Sequence, residues 1–78
     1  MKLGVSEGVY AMMLLDQDSR CAICRNKWKR KLYVDHCHQT NRVRGLLCGP
    51  CNTAIGLLGD NLEGVLRAVE YLKEEDPD

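Results

Sequence analysis

The sequence has no Phe, a single Trp (Trp28), three Tyr and two Pro, so few large side chains are available to fill a core. In 78 residues there is room for one small domain, whose high surface-to-volume ratio leaves hydrophobic burial marginal. Something besides packing has to staple such a chain. No apolar run approaches the roughly 20 residues of a membrane span, and the start, MKLGVSEGVY, lacks the apolar stretch and small-residue cleavage site of a signal peptide. The expectation is a protein that stays in a cytoplasm, where disulfides are rare and paired cysteines are read first as metal ligands.

Net charge is absent too, at zero, which argues against a polyanionic partner until the charges are placed along the chain. Between Arg20 and Arg44 lie Arg20, Arg25, Lys27, Lys29, Arg30, Lys31, Arg42 and Arg44, eight cations against Asp35 alone, a net +7. The rest of the chain has three cations and ten anions, a net −7. Such sorting predicts one basic face for a polyanion and an acidic periphery; a solvated charged loop is the plainer alternative.

Apolar residues make up 45% of the chain, a globular value. Ser6 suits the cap of a first helix running to about Gln17, with Val9, Met12, Met13 and Leu14 as a core-facing stripe. Lys31 to His36 and Arg42 to Leu47 read as a β-hairpin around the polar turn Gln39-Thr40-Asn41. Pro50 fits the first turn of a helix that Gly59 ends. Asp60 or Asn61 then caps a last helix, about 61–73, whose Leu62, Val65, Leu66, Val69 and Leu72 recur at helical spacing and are expected to close the core. The acidic end, 74–78, is expected to fray. The chain thus reads as one small α+β domain over 1–78, with helices at both ends.

Two CxxC units, Cys21/Cys24 and Cys48/Cys51, bracket the hairpin. A two-residue gap lets a tight turn aim both thiolates at one ion, and two such knuckles complete a closed tetrahedral Cys₄ site for structural Zn²⁺. A closed site holds a fold together but has no open position to activate water. Asp35, His36 and His38 are left over, as is Asn52 directly after the last zinc cysteine. Asp35 and Asn52 offer the oxygen ligands that hard Mg²⁺, Mn²⁺ or Ca²⁺ prefers, so a second, catalytic ion is plausible. In an extended strand His36 and His38 share a face and Asp35 points away, unless the strand bends. Cys37, between the histidines, reads as a small residue facing the core, with an accessory ligand or a redox liability as the functional alternative.

CAIC, YVDHCH, VRGLLCGPCN and the following GLLGDN resemble the phage recombination endonuclease VII family, a branch of the HNH, or ββα-metal, nucleases. The likeness covers about Met12 to Asn61. It implies a zinc-stapled ββα-metal finger in which Cys21, Cys24, Cys48 and Cys51 hold the structural zinc. Asp35 and Asn52 would then bind a catalytic Mg²⁺ or Mn²⁺, with His36 as general base and His38 positioning phosphate or metal. The implied activity is hydrolysis of DNA phosphodiesters, including those of four-way junctions, to 5′-phosphate and 3′-hydroxyl ends.

Residue chemistry agrees, since an imidazole with an ordinary pKa of about 6.5 is largely neutral at pH 7 and can take a proton from water. Arg44, or Arg42 beside it, is the candidate cation for the transition state. Lys27, Lys29, Arg30, Lys31, Arg42 and Arg44 are the candidate DNA-backbone contacts, giving position rather than sequence preference. Trp28 among them could stack on a base or simply pack. The implied setting is a bacterial host cell with a phage or prophage gene, and a monomer, though a dimer is open. Two other classes stay in play: a non-catalytic zinc-stapled DNA-binding module, which has no need of His36 or Asn52, and a protein-interaction zinc domain, which has no need of the basic strip.

Overall fold

The computed structural model describes residues 5–75. Its elements run α1 (Glu7–Asp16), β1 (Tyr33–His36), β2 (Val43–Leu47), α2 (Gly49–Leu57) and α3 (Leu62–Glu75), a small α+β arrangement of three helices and one two-stranded antiparallel sheet. No helix among the described residues is long and apolar enough to cross a membrane.

The helix ends follow local chemistry. Ser6 Oγ accepts the Val9 N–H at 3.2 Å and starts α1, and Gln17 is its C-cap. Pro50 lies in the first turn of α2, where its missing N–H costs nothing. The N-cap of α2 is Cys48, whose sulfur accepts the Cys51 N–H at 3.5 Å. Asn61, rather than Asp60, caps α3, because its Oδ1 accepts the Gly64 N–H at 2.7 Å and so satisfies one of the orphan donors of the first turn. Of the tail expected to fray, Glu74 and Glu75 continue α3, and residues 76–78 lie outside the described residues.

The buried core is short: Cys21, Leu32, Leu46, Leu47 and Cys48, with Tyr10, Met13, Leu14, Cys24, Val34, Cys51 and Ile55 packed around it. The expected α1 stripe is therefore rotated. Tyr10, Met13 and Leu14 face inward, while Val9 and Met12 are exposed, because the Tyr10 hydroxyl donates to the Leu32 carbonyl at 2.6 Å and sets which face docks. Gln17 fixes the other end of α1. Its amide donates to the Leu46 carbonyl at 3.0 Å and accepts the Leu46 N–H at 2.9 Å, pairing with β2 as a strand residue would.

The last helix departs from expectation. Its apolar residues do not close the core: Leu62 is 72% exposed, and Leu66, Val69 and Leu72 are exposed as well. The helix is anchored at its start instead. Gly64 is buried against the Leu58 carbonyl, and the rest of α3 runs on from that point.

Candidate functional site

The two knuckles meet as their spacing requires. In the first, the Ile23 N–H donates to Cys21 Sγ at 3.4 Å, and Arg25, at φ 65°, turns the chain back towards Lys27. The second is the start of α2. All four sulfurs, from Cys21, Cys24, Cys48 and Cys51, lie within 4.8 Å of one another, and Cys24 Sγ and Cys48 Sγ are 3.9 Å apart. A ZnS₄ tetrahedron with bonds of about 2.3 Å has sulfur–sulfur edges of about 3.8 Å, so the cradle fits a metal such as zinc, and the cysteines are free rather than disulfide-bonded.

The electrostatics of the cradle favour a cation. Burial tends to raise the Cys21 thiol, but N–H groups around it, from Cys48, Cys24 and Ile23, more than offset this and bring it down to about 6. Burial and the neighbouring sulfurs push Cys51 up to about 12 and raise Cys48. One thiolate thus opposes ionisation of its neighbours, and a bound dication removes that opposition.

On the other side of the hairpin the strands lose their regular pairing. Asp35 pairs with Gly45 and His36 with Val43, leaving Arg44 as the extra residue of a β-bulge. A bulge bends its strand and re-aims a side chain. Here it is Arg44 that is re-aimed. Its Nε and Nη2 donate to the two oxygens of buried Asp35 at 2.7 and 3.1 Å. Nη2 also donates to the His36 carbonyl at 3.3 Å and to Asp60 Oδ1 at 2.6 Å. Hydrogen bonds to Asp35 and Asp60 hold the Arg44 guanidinium well above its ordinary pKa, and Arg44 in turn lowers that of Asp60.

The histidines stand beside this clasp. Their ring centroids are 5.4 Å apart, His36 is half-buried, and the exposed His38 has Nε2 3.4 Å from Asp60 Oδ2. Cys37, expected to face the core, does not reach it. β1 ends at His36, and a tight loop follows in which the Cys37 N–H donates to the Arg42 carbonyl and the Asn41 N–H to the Cys37 carbonyl. Strand alternation no longer applies there. Cys37 instead lines a cavity with His38, Arg44 and Asp60, and hydrogen bonding with Thr40 lowers its thiol pKa. Asn52 is half-buried in the first turn of α2, one residue past Cys51, so the cysteine cluster fixes its backbone.

The family model for recombination endonuclease VII matches residues 1–74. The chain belongs to the recombination endonuclease VII family. Among its curated relatives, the Gene 59 protein of Mycobacterium phage L5 is 43% identical over 72 residues, 88% of this chain and 44% of that protein. The Gene 59 protein of Mycobacterium phage D29 is 40% identical over 74 residues, 91% of this chain and 45% of that protein. The chain therefore spans a little under half the length of these relatives. No solved structure matches it.

In this endonuclease VII-family chain the basic strip divides. Lys27, Lys29 and Arg30 surround Trp28 and Asn26 in one shallow depression, where the indole is partly exposed. Lys31 turns aside, with Nζ 5.4 Å from the Tyr10 ring centroid. Arg42 is exposed at the hairpin end, whereas Arg44 is committed to its two carboxylates. Asp60 and Gln17 were not candidates from the sequence. The GDN run containing Asp60 belongs to the GLLGDN stretch of the family likeness, but Asp60 itself reads from the sequence as a helix-cap candidate.

Proposed function

We propose that the chain is a divalent-metal-dependent DNA endonuclease of the HNH, or ββα-metal, type, nicking duplex or branched DNA with weak sequence preference and leaving 5′-phosphate and 3′-hydroxyl ends. The observation that carries this reading is the clustering of Asp35, His36, His38 and Arg44 at one bulge of a hairpin whose base is tied to a four-cysteine cradle. Family membership and the phage relatives support it. A phage or prophage gene acting in a bacterial host cytoplasm is the setting it implies.

Cys21, Cys24, Cys48 and Cys51 would hold structural Zn²⁺. Asp35 and Asn52 would hold the catalytic ion, and their oxygen donors suit Mg²⁺ or Mn²⁺. The buried Asp35 carboxylate already carries a cation, the Arg44 guanidinium, so its surroundings accept positive charge. When bound, the divalent ion supplies Lewis-acid stabilisation of the departing 3′ oxygen. His36 takes the proton of the attacking water as general base. His38 orients the phosphate, and Arg44 with Arg42 offsets the charge gained in the transition state. Lys27, Lys29, Arg30 and Lys31 hold the DNA backbone, with Trp28 available for stacking. One such site in a monomer cuts one strand.

The depression around Trp28 also suits a zinc-stapled DNA-binding module without catalysis, and one assay separates the two. Supercoiled plasmid is incubated with the zinc-loaded protein and Mg²⁺ or Mn²⁺, alongside His36→Ala and Asn52→Ala. Nicking that requires the added ion and is lost in both variants is the expected result. Plasmid binding with no cleavage by any of the three, repeated on a four-way junction, would leave the binding module.

A further inference from the structure

Asp60 is the acidic residue of the cavity that the roles above leave unused. It sits in the turn between α2 and α3 at φ 56°, directly after Gly59 at φ 101°. Glycine takes these conformations freely and aspartate tolerates them, so the surroundings decide whether they persist. They are enforced here: the Asp60 N–H donates to the Ile55 carbonyl at 2.7 Å, Gly64 abuts the Leu58 carbonyl, and Asn61 takes over the helix cap. The Asp60 carboxylate is thus released from capping and delivered to the hairpin.

There Oδ1 accepts from Arg44 Nη2 at 2.6 Å. Oδ2 is buried, has no hydrogen-bond partner among the described residues, and lies 3.4 Å from His38 Nε2. Asp35, Arg44 and Asp60 form a continuous chain of alternating acceptors and donors across β1, β2 and the α2–α3 turn, and His38 stands at its end, 3.4 Å from the unbonded Oδ2. Two carboxylates sharing one guanidinium compete for it. The stronger Asp60 holds Arg44, the less Arg44 neutralises Asp35.

We propose that Asp60 is the positioning residue of this site: it retains Arg44 beside the reaction centre when Asp35 gives up its guanidinium contacts to take the divalent ion, and it orients His38 through the charge on Oδ2. The inference rests on the endonuclease reading above. It adds a residue that touches neither the scissile phosphate nor the ion and acts through Arg44 and His38. Without its charge, Arg44 falls back wholly on Asp35 and competes with the incoming ion.

The test compares wild type, Asp60→Asn and Asp60→Glu, all zinc-loaded, by Mn²⁺ titration followed by electron paramagnetic resonance and by steady-state cleavage kinetics, with His36→Ala as reference. Removing an outer partner of a metal ligand typically costs 10–100-fold in affinity or activity. Asp60→Asn is expected to weaken Mn²⁺ binding about tenfold and to lower kcat with little change in KM for DNA, while zinc content stays at wild type. Asp60→Glu is expected to recover part of both losses.

Wild-type Mn²⁺ affinity and kcat in Asp60→Asn, with His36→Ala inactive, would overturn the proposal and leave the endonuclease reading standing. Should Asp60→Asn lose zinc or fail to fold, Asp60→Glu decides: a folded, zinc-loaded Glu variant with weakened Mn²⁺ binding and lowered kcat supports positioning by the carboxylate, and one at wild-type values in both, or a second unfolded protein, assigns Asp60 a structural role and overturns it. A wild-type protein that neither binds Mn²⁺ nor cleaves overturns both readings together.

Discussion

Arg44 meets three acceptors that lie in different directions: the Asp35 carboxylate, the His36 carbonyl and Asp60. A planar fork with several fixed donors can satisfy them together, and a lysine ammonium on a flexible stem cannot. Asp35 is the vulnerable partner because it is buried, and a buried carboxylate without a matched cation is costly. The Arg44 side chain is about one-third exposed (36%), so solvent screening reduces that cost. Arg44→Lys is expected to lose roughly 1–2 kcal/mol of stability after that reduction and at least tenfold in cleavage rate, with zinc retained. Urea unfolding and plasmid nicking measure the two effects separately. A Lys variant with wild-type cleavage would show that Arg44 contributes charge alone and that its fork geometry is immaterial.

The α2–α3 junction makes a sharper demand, at Gly64. A Cβ there would overlap the Leu58 carbonyl oxygen, which is backbone and cannot swing away as a side-chain tip can. Gly64→Ala ordinarily favours a helix by up to about 1 kcal/mol, but the overlap forces α3 off the turn and costs about 1–3 kcal/mol. The expected outcome is a lower melting temperature and reduced cleavage, since the displaced turn carries Asp60; an Ala variant melting higher than wild type would contradict it. Much of this level was legible beforehand. Ser6, Pro50 and Asn61 mark helix starts through contacts within three residues, and each CxxC is a local turn. The bulge at Arg44 was not read, because strand alternation assumes an unbroken register; Gly45 beside it is the residue type that often marks one. Neither was the exposed face of α3. Its apolar spacing is that of a packing helix, and spacing cannot say whether a partner surface lies opposite. The inward turn of Tyr10 and Gln17 was hidden for a related reason: both act through polar atoms on a face chosen for its apolar residues.

For the molecule as a whole, two of the five buried core residues among the described ones are cysteines of the four-sulfur cradle, Cys21 and Cys48, and the other two cradle cysteines pack directly against that core. A metal bound in the cradle would therefore make metal binding and core formation one event. Structural zinc supplies about 10–16 kcal/mol of apparent binding energy at pH 7, as much as the whole stability of a typical domain, about 5–15 kcal/mol. Removing it would leave four sulfurs packed together without the charge that reconciles them, around three buried leucines among the described residues. A strong chelator is expected to unfold the protein cooperatively, with loss of helical circular dichroism, and added Zn²⁺ to restore it. The pH dependence has a definite sign. Burial and the neighbouring sulfurs raise Cys48 and push Cys51 up to about 12, so at pH 7 these thiols hold protons that a bound metal would have to displace. Zinc affinity should then rise with pH and fall on acidification, with proton release measurable by calorimetry in buffers of different ionisation enthalpy. Cys48→Ser, which removes one ligand from the buried side, should show the chelated state at neutral pH. A metal-stripped chain that still melts cooperatively at the wild-type temperature would mean that the leucines and the α1 contacts suffice, and that the cysteine cluster is a passenger in a fold it does not hold.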